Sequence, residues 1–267
     1  MSVMNCNFYS KCLMNFVDVT VYIPSAHNGE AMFASLEDLY APKQYKTVYL
    51  LHGMLDDHSC WMRWSRVEEY AEAHQIALIM PSGQNGFYVN AVHGLKYYDF
   101  IHYELPMWAE HNFPLLTGKE NRFIAGLSMG GYGALRHGLS GLDQYAAIGA
   151  FSPACDVIAL NDVIAAAGMG GIVDYDSIYG GIDKVAGTEN DVYALLEQAK
   201  ESGKELPKIY MGCGTDDFIV YAMTKKMQQD MKDMGYDVTY TEYPGEGHTW
   251  NVWDPCIKAF LDMIDPK

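Results

Sequence analysis

The sequence predicts a doubly wound α/β fold: a mostly parallel sheet with helices on both faces and a small lid-like insertion, in a single domain over residues 1–267. Three observations carry this expectation. Strand-like and helix-like segments alternate along the chain, and the middle strands are continuous apolar runs, as strands covered on both faces must be. In addition, one apolar run, Ile124-Ala125, leads through Gly126-Leu127-Ser128-Met129-Gly130 directly into a helical pattern, the strand-turn-helix setting of an exposed nucleophile. With 267 residues, 49% of them hydrophobic, the chain can bury the core that such a fold requires.

The first strand is expected at 17–23, where Val17, Val19, Val21 and Ile23 alternate with polar or aromatic neighbours, as in an antiparallel start with one covered face. Further strands follow at 47–51, 76–80, 123–125, 146–151, 209–213 and 238–243. Helical spacing marks 60–74, 99–112, 131–139, 192–202, 219–234 and 251–264, which lie between or after them. Tyr97, Tyr98, Tyr103 and Trp108 read as the aromatic face of a core helix. One stretch breaks the rhythm. Residues 156–187 include Gly168, Gly170, Gly171, Gly180, Gly181 and Gly187 and separate a strand from the next clear helix, the pattern of a lid or insertion over a site. Its Gly-Met-Gly-Gly is not a dinucleotide fingerprint, because no strand runs directly into it and the G-x-G-x-x-G spacing is not completed.

Eighteen basic against 34 acidic side chains leave a formal charge of −16, spread along the chain without a tail of like charges. Nucleic acid and anionic membrane surfaces, which are bound by clustered Lys and Arg, are therefore not expected partners. No basic start followed by an apolar core opens the chain, and no segment approaches about 18 uninterrupted apolar residues, so a cytoplasmic protein is expected. Cys6, Cys12, Cys60, Cys155, Cys213 and Cys256 occur without CxxC pairs, which indicates neither a zinc site nor a disulfide framework; Cys6 and Cys12 could bridge only in an exported protein. His58, His74, His93, His102 and His137 have no HExxH or comparable spacing, and no metal or other cofactor is expected. A homo-oligomer is compatible with the sequence.

A serine hydroxyl is a poor nucleophile at neutral pH; it needs a base to take its proton and an acid to orient that base. On this type of fold they follow in the order Ser, acid, His. Behind Ser128, the strand at 209–213 runs into Gly214-Thr215-Asp216-Asp217, and the strand at 238–243 into Gly245-Glu246-Gly247-His248. Both follow the carboxyl ends of predicted parallel strands, where doubly wound sheets assemble their sites. Either aspartate could be the acid, and His248 is the candidate base. For an oxyanion hole the amide of Met129, next to the nucleophile, is one candidate; Met54, after Leu51-His52-Gly53, is the other, since Gly53 lets the backbone turn inward. His52 reads as a structural hydrogen-bonding residue. Trp61, Trp64 and Trp250 lie beside these loops and are candidate walls of an acyl pocket that binds substrate.

At these residues the chain resembles the esterase D family, and within it bacterial tributyrin esterases of the acetyl esterase kind. The matching pieces are YLLHGMLDDHSCWMRWS (49–65), GFYVN (86–90), YYDFIHYELP (97–106), FIAGLSMGGYGALR (123–136), GTDDF (214–218) and GHTWNVW (247–253), in family order. The resemblance implies an α/β-hydrolase fold and a serine carboxylic ester hydrolase for short acyl groups, acetyl to butyryl. It implies a triad of Ser128, Asp217 and His248, with Asp217 matching the acidic position before Phe218, and an oxyanion hole near Met54 and Met129. The family is related in fold to S-formylglutathione hydrolases, feruloyl esterases and mycolyltransferases. A thioester such as S-formylglutathione, or a feruloylated or acetylated sugar, is therefore the alternative substrate. Residues 156–187 match no family motif.

Overall fold

The structure, a computed structural model, describes residues 2–26 and 28–267. Eight strands form one sheet: β1 (Ser2–Ser10), β2 (Asn15–Ile23), β3 (Lys46–Leu51), β4 (Ile76–Pro81), β5 (Arg122–Leu127), β6 (Ala147–Phe151), β7 (Lys208–Gly214) and β8 (Val238–Tyr243). Their order across the sheet is β1-β2-β4-β3-β5-β6-β7-β8. The first two strands form an antiparallel hairpin, β2 runs antiparallel to β4, and every other neighbouring pair is parallel. The strand at 2–10 is an addition to the sequence reading. Its asparagines and serines blur any apolar alternation, and it pairs with β2 at nine residue positions, with Phe8 stacked on Trp108 at 4.2 Å.

The helices are α1 (Asn28–Ala31), α2 (Leu36–Leu39), α3 (Cys60–Trp64), α4 (Val67–His74), α5 (Tyr97–Asp99), α6 (Leu105–Asn112), α7 (Met129–Ser140), α8 (Val157–Ala166), α9 (Tyr175–Tyr179), α10 (Val192–Glu201), α11 (Tyr221–Asp233) and α12 (Trp250–Ile264). Among the described residues no helix is long and apolar enough to cross a membrane. The central strands are covered on both faces. Val48 and Leu50 pack with α3, α4 and α12 on one side, whereas Tyr49 and Leu51 pack with α6, α7, α8, α10 and α11 on the other. This explains the continuous apolar runs.

Two helical expectations are altered. The span 60–74 breaks at Ser65, whose extended backbone lets its hydroxyl donate to the Trp61 carbonyl and accept the Val67 N–H, while Asp254 takes the Arg66 N–H at 2.7 Å. The span 99–112 contains a π-helical turn at Phe100–Glu104. Pro106, which has no N–H to give the carbonyl four residues before it, follows that wide turn. Of the aromatic residues assigned there, Tyr97 is buried and Trp108 packs on Phe8, but Tyr103 is exposed. Tyr98 stacks on both His102 and His137, whose own ring centres are 5.7 Å apart, and the Arg136 guanidinium lies 4.0 Å from the Tyr98 ring centre.

Candidate active site

Ser128 is the single residue between β5 and α7, and its backbone is left-handed at φ 54°, ψ −117°. A non-glycine residue in so sparsely populated a conformation costs about 1–3 kcal/mol, so its surroundings must hold it there. Its N–H donates to Phe151 O at 2.8 Å, and its carbonyl accepts the N–H groups of Tyr132 and Ala154, each at 3.1 Å. The flanking glycines follow from contact rather than from dihedral preference. A Cβ on Gly126 would lie 2.4 Å from Gly130 O, and one on Gly130 would lie 2.6 Å from the carbonyl oxygens of Leu51 and His52. The turn presses β5, β3 and α7 together at backbone distance.

The loops after β7 and β8 close on one another as tightly, since a Cβ on Gly214 would meet Glu246 O at 2.2 Å. This brings His248 between the other two residues. Its Nε2 is 2.9 Å from Ser128 Oγ, and its Nδ1 is 2.6 Å from Asp217 Oδ2. Because a carboxylate only accepts, Nδ1 carries the hydrogen and Nε2 is left to accept from the serine hydroxyl. Asp217 is buried, and its other oxygen accepts the Ile219 and Val220 N–H groups at 3.1 and 3.2 Å, which also caps the turn before α11. The neighbouring Asp216 is exposed and takes no part; its backbone N–H donates to Glu246 O at 2.9 Å. The structure thus separates the two aspartates that spacing left open, and the one against His248 is Asp217, to which the resemblance pointed.

Gly53 lies against the nucleophile turn: a Cβ there would be 2.5 Å from Leu127 Cδ1 and 3.5 Å from Ser128 Cβ. Met54 and Met129 both border Ser128, and among the described residues neither backbone N–H has a hydrogen-bond acceptor. The His52 imidazole braces this loop. Its Nε2 accepts the Gly83 N–H at 2.8 Å, so Nδ1–H donates to Gly53 O at 2.6 Å, and burial pushes the pKa of the ring down and keeps it neutral.

Ser128 and His248 open into a cavity of about 200 Å³ whose other walls are almost wholly apolar. Leu160 and Ile164 of α8, then Met169, Ile172 and Val173, form one side; Phe87, Ala154, Ile219 and Val220 form much of the rest. Residues 156–187 therefore contribute a wall of the cavity. None of these wall residues was singled out in the sequence, although α8 carried a usable signal in the apolar pair Leu160 and Ile164, four apart behind the helix-capping Asp156.

The three tryptophans proposed as pocket walls lie elsewhere. Trp61 is buried in the layer of α3, α4 and α12, with Nε1–H donating to Leu51 O at 3.1 Å and its ring packed edge-on against Phe151 and Trp250. Trp64 is 61% exposed. Together with Trp250 it borders an open surface groove between α3 and α12. The physical reason is that α3 and α12 pack on the sheet face opposite α8. The tryptophan that reaches the site is Trp253, whose ring stands edge-on to His248 at 5.0 Å. It is one helical turn beyond Trp250, within the GHTWNVW segment.

Comparison with known proteins agrees with this architecture. Residues 18–263 match the model of the Esterase family, described as "Putative esterase". An acetyl esterase of Caldicellulosiruptor saccharolyticus is 31% identical over 276 positions, which cover 99% of this chain and 98% of that protein. FphF, a fluorophosphonate-binding serine hydrolase of Staphylococcus aureus solved with substrate bound, superposes with a TM-score of 0.87 at 28% identity, covering 100% of this chain and 99% of its own. The S-formylglutathione hydrolase FrmB of the same organism, solved as apoenzyme, gives 0.83 at 29% identity, with 98% of each chain covered. With an eight-stranded, mostly parallel sheet and a family match over nearly its whole length, the chain belongs to this esterase family and has the α/β-hydrolase fold.

Proposed function

We propose that the protein is a serine carboxylic ester hydrolase of the esterase D kind, acting on short acyl esters from acetyl to butyryl through Ser128, His248 and Asp217. The observation that carries this reading is the hydrogen-bonded chain from Asp217 through His248 to Ser128 at the wall of a small apolar cavity. His248 Nε2 takes the hydroxyl proton as Ser128 Oγ attacks the ester carbonyl, and the buried Asp217 carboxylate stabilises the imidazolium that forms. The Met54 and Met129 amides donate to the developing oxyanion. His248 then returns the proton to the leaving alcohol, and water activated by the same nitrogen hydrolyses the acyl-enzyme. The acyl chain occupies the cavity beneath residues 156–187, which serve as its lid. At about 200 Å³ that cavity falls below the roughly 300–1,000 Å³ of common ligand pockets, which favours a short chain.

The test is hydrolysis of p-nitrophenyl acetate, butyrate and octanoate by the protein and its Ser128→Ala variant. Loss of about a thousandfold or more in kcat with a folded variant is expected; equal rates in both overturn the mechanism. The likeness to FrmB favours one second reading, in which the same residues cleave a thioester. Measuring kcat/KM for S-formylglutathione, feruloylated and acetylated sugars beside the simple esters decides between substrate classes. A marked preference for the thioester or a decorated sugar replaces the short-ester assignment and leaves the role of Ser128 standing.

A further inference from the structure

The two edges of the sheet are built differently. At one edge β8 is six residues long and carries Glu242, which pairs with Lys225 at 3.2 Å and accepts from Tyr221 OH. At the other, β1 is nine residues long, has neither a charged residue nor a proline, and pairs with β2 in continuous register without a bulge. Among the described residues no backbone group bonds to its outer side. A long, uncharged, unbroken edge is what soluble proteins avoid, because it offers a row of free N–H and C=O groups to any passing strand. Here it occurs in a chain whose formal charge is −16, so charged residues were available to blunt it.

The residues of β1 also indicate what should cover it. Ser2-Val3-Met4-Asn5-Cys6-Asn7-Phe8-Tyr9-Ser10 is a chemical palindrome about Cys6: serine mirrors serine, asparagine mirrors asparagine, and the apolar Val3 and Met4 mirror Tyr9 and Phe8. We propose that the free edge of β1 binds a second copy of this chain, the two strands running antiparallel about a two-fold axis at Cys6, so that two sheets join into one. In that register all nine residues are paired. On the exposed face Val3, 47% accessible, meets the partner copy's tyrosine at position 9, 56% accessible here, and Asn5 meets the asparagine at position 7. A cross-strand pair of a β-branched with an aromatic residue is a stabilising one. Phe16, exposed and edge-on to Tyr9 at 5.8 Å, widens this apolar strip onto β2. On the inner face Met4 meets phenylalanine and Cys6 meets its own copy. The pairing line carries no charge, which keeps the like charges of two acidic chains off the contact. An isologous contact of this kind closes as a dimer and leaves no free edge at β1.

The axis supplies its own reporter. Residues directly opposite in an antiparallel pair have Cα atoms about 4.5–5.5 Å apart, within the range of about 4.4–6.8 Å that a disulfide spans. Cys6 is a half-buried free thiol. The experiment is sedimentation of the full chain at micromolar concentration, together with mild oxidation by diamide, which takes two thiols to one disulfide. The expected result is twice the monomer mass, and a covalent dimer on a non-reducing gel that is lost in Cys6→Ser and kept in Cys12→Ser. The double variant Asn5→Lys, Asn7→Lys sets like charges opposite one another across the axis. It should sediment as a monomer, or with its dimer Kd raised at least tenfold, with unchanged circular dichroism and esterase activity. A monomeric parent protein overturns the proposal, as does a dimer whose crosslink does not depend on Cys6. The crosslinking arm uses the unaltered chain and so decides the matter even if the lysine variant does not fold.

Discussion

The nucleophile turn and the segment above it, residues 156–187, bound the same cavity but are held in opposite ways. Around Ser128 the backbone has no spare room: Cβ atoms on Gly126, Gly130 and Gly131 would all come within 3.0 Å of neighbouring atoms. In the segment above, Cβ atoms at Gly168, Gly170, Gly171 and Gly187 would find nothing within 4 Å. There the cavity wall is made chiefly by the side chains of Leu160 and Ile164 of α8, and the segment is tied to its neighbours at the backbone through the Val92 N–H to Ile178 O and the His93 N–H to Ser177 O. The reacting groups therefore stand on a backbone that cannot shift without clashing, while the surface facing the acyl chain can change by substitution without disturbing them.

Four experiments press on this contrast. The largest effect is expected at the base of the site: Asp217→Asn should keep the fold but lower kcat by about 10⁴-fold by favouring the wrong imidazole tautomer. Asp216→Asn, one residue away and exposed, should change kcat less than twofold in the same assay. Next, Gly126→Ala should cost at least ~2 kcal/mol in denaturant unfolding, through backbone overlap. Gly170→Ala should stay within about 0.5 kcal/mol. Equal costs for the two glycines would erase the distinction between the two regions.

The third experiment is acidification. His102 and His137 lie on the hemmed-in side, and residues 156–187 include no histidine. Burial, reinforced by Arg136, lowers the His102 pKa from 6.5 to about 4 and that of His137 well below 6.5. Below pH 6.5 the unfolded chain therefore binds protons that the folded protein refuses. Stability contributed by the neutral rings is complete above 6.5 and is lost as pH falls toward 4. For His102 this amounts to roughly 2 kcal/mol at pH 5. Thermal unfolding should show a falling Tm from pH 7 to 5, and His102→Gln should flatten that fall. The smallest effect belongs to the segment above the site. Ile164→Phe should cut kcat/KM for butyrate about tenfold relative to acetate, since one or two methylenes in an apolar pocket are worth about 1–3 kcal/mol. An unchanged chain-length profile would remove α8 from acyl selection.

What could be read from the chain follows the same division. Gly126, Ser128 and Gly130 were legible because backbone crowding tolerates only glycine, and that requirement is written in residue identity. The order of Ser128, Asp217 and His248 was legible because each follows a strand, and parallel strands bring their carboxyl ends to one edge. Adjacency in sequence misled at the tryptophans: Trp61, Trp64 and Trp250 are near the loops along the chain, but α3 and α12 carry them to the far face of the sheet. The strand β1 was missed because its polar residues conceal an alternation that becomes evident only when β2 lies beside it.

By itself, then, the sequence determined the fold class, the position of the nucleophile turn, and the set of ionisable residues available at the carboxyl edge. Each depends on local rules of periodicity, steric size and strand direction that act over a few residues. Strand order and spacing left both adjacent aspartates open and only the family resemblance pointed to Asp217; the tertiary structure gives the physical reason, because the N–H groups of Ile219 and Val220 hold Asp217 inward while Glu246 holds the backbone of Asp216. Tertiary structure alone decided which side chains wall the cavity. Those choices depend on the face of the sheet against which each helix packs, and that is settled by burial of apolar surface between segments more than a hundred residues apart.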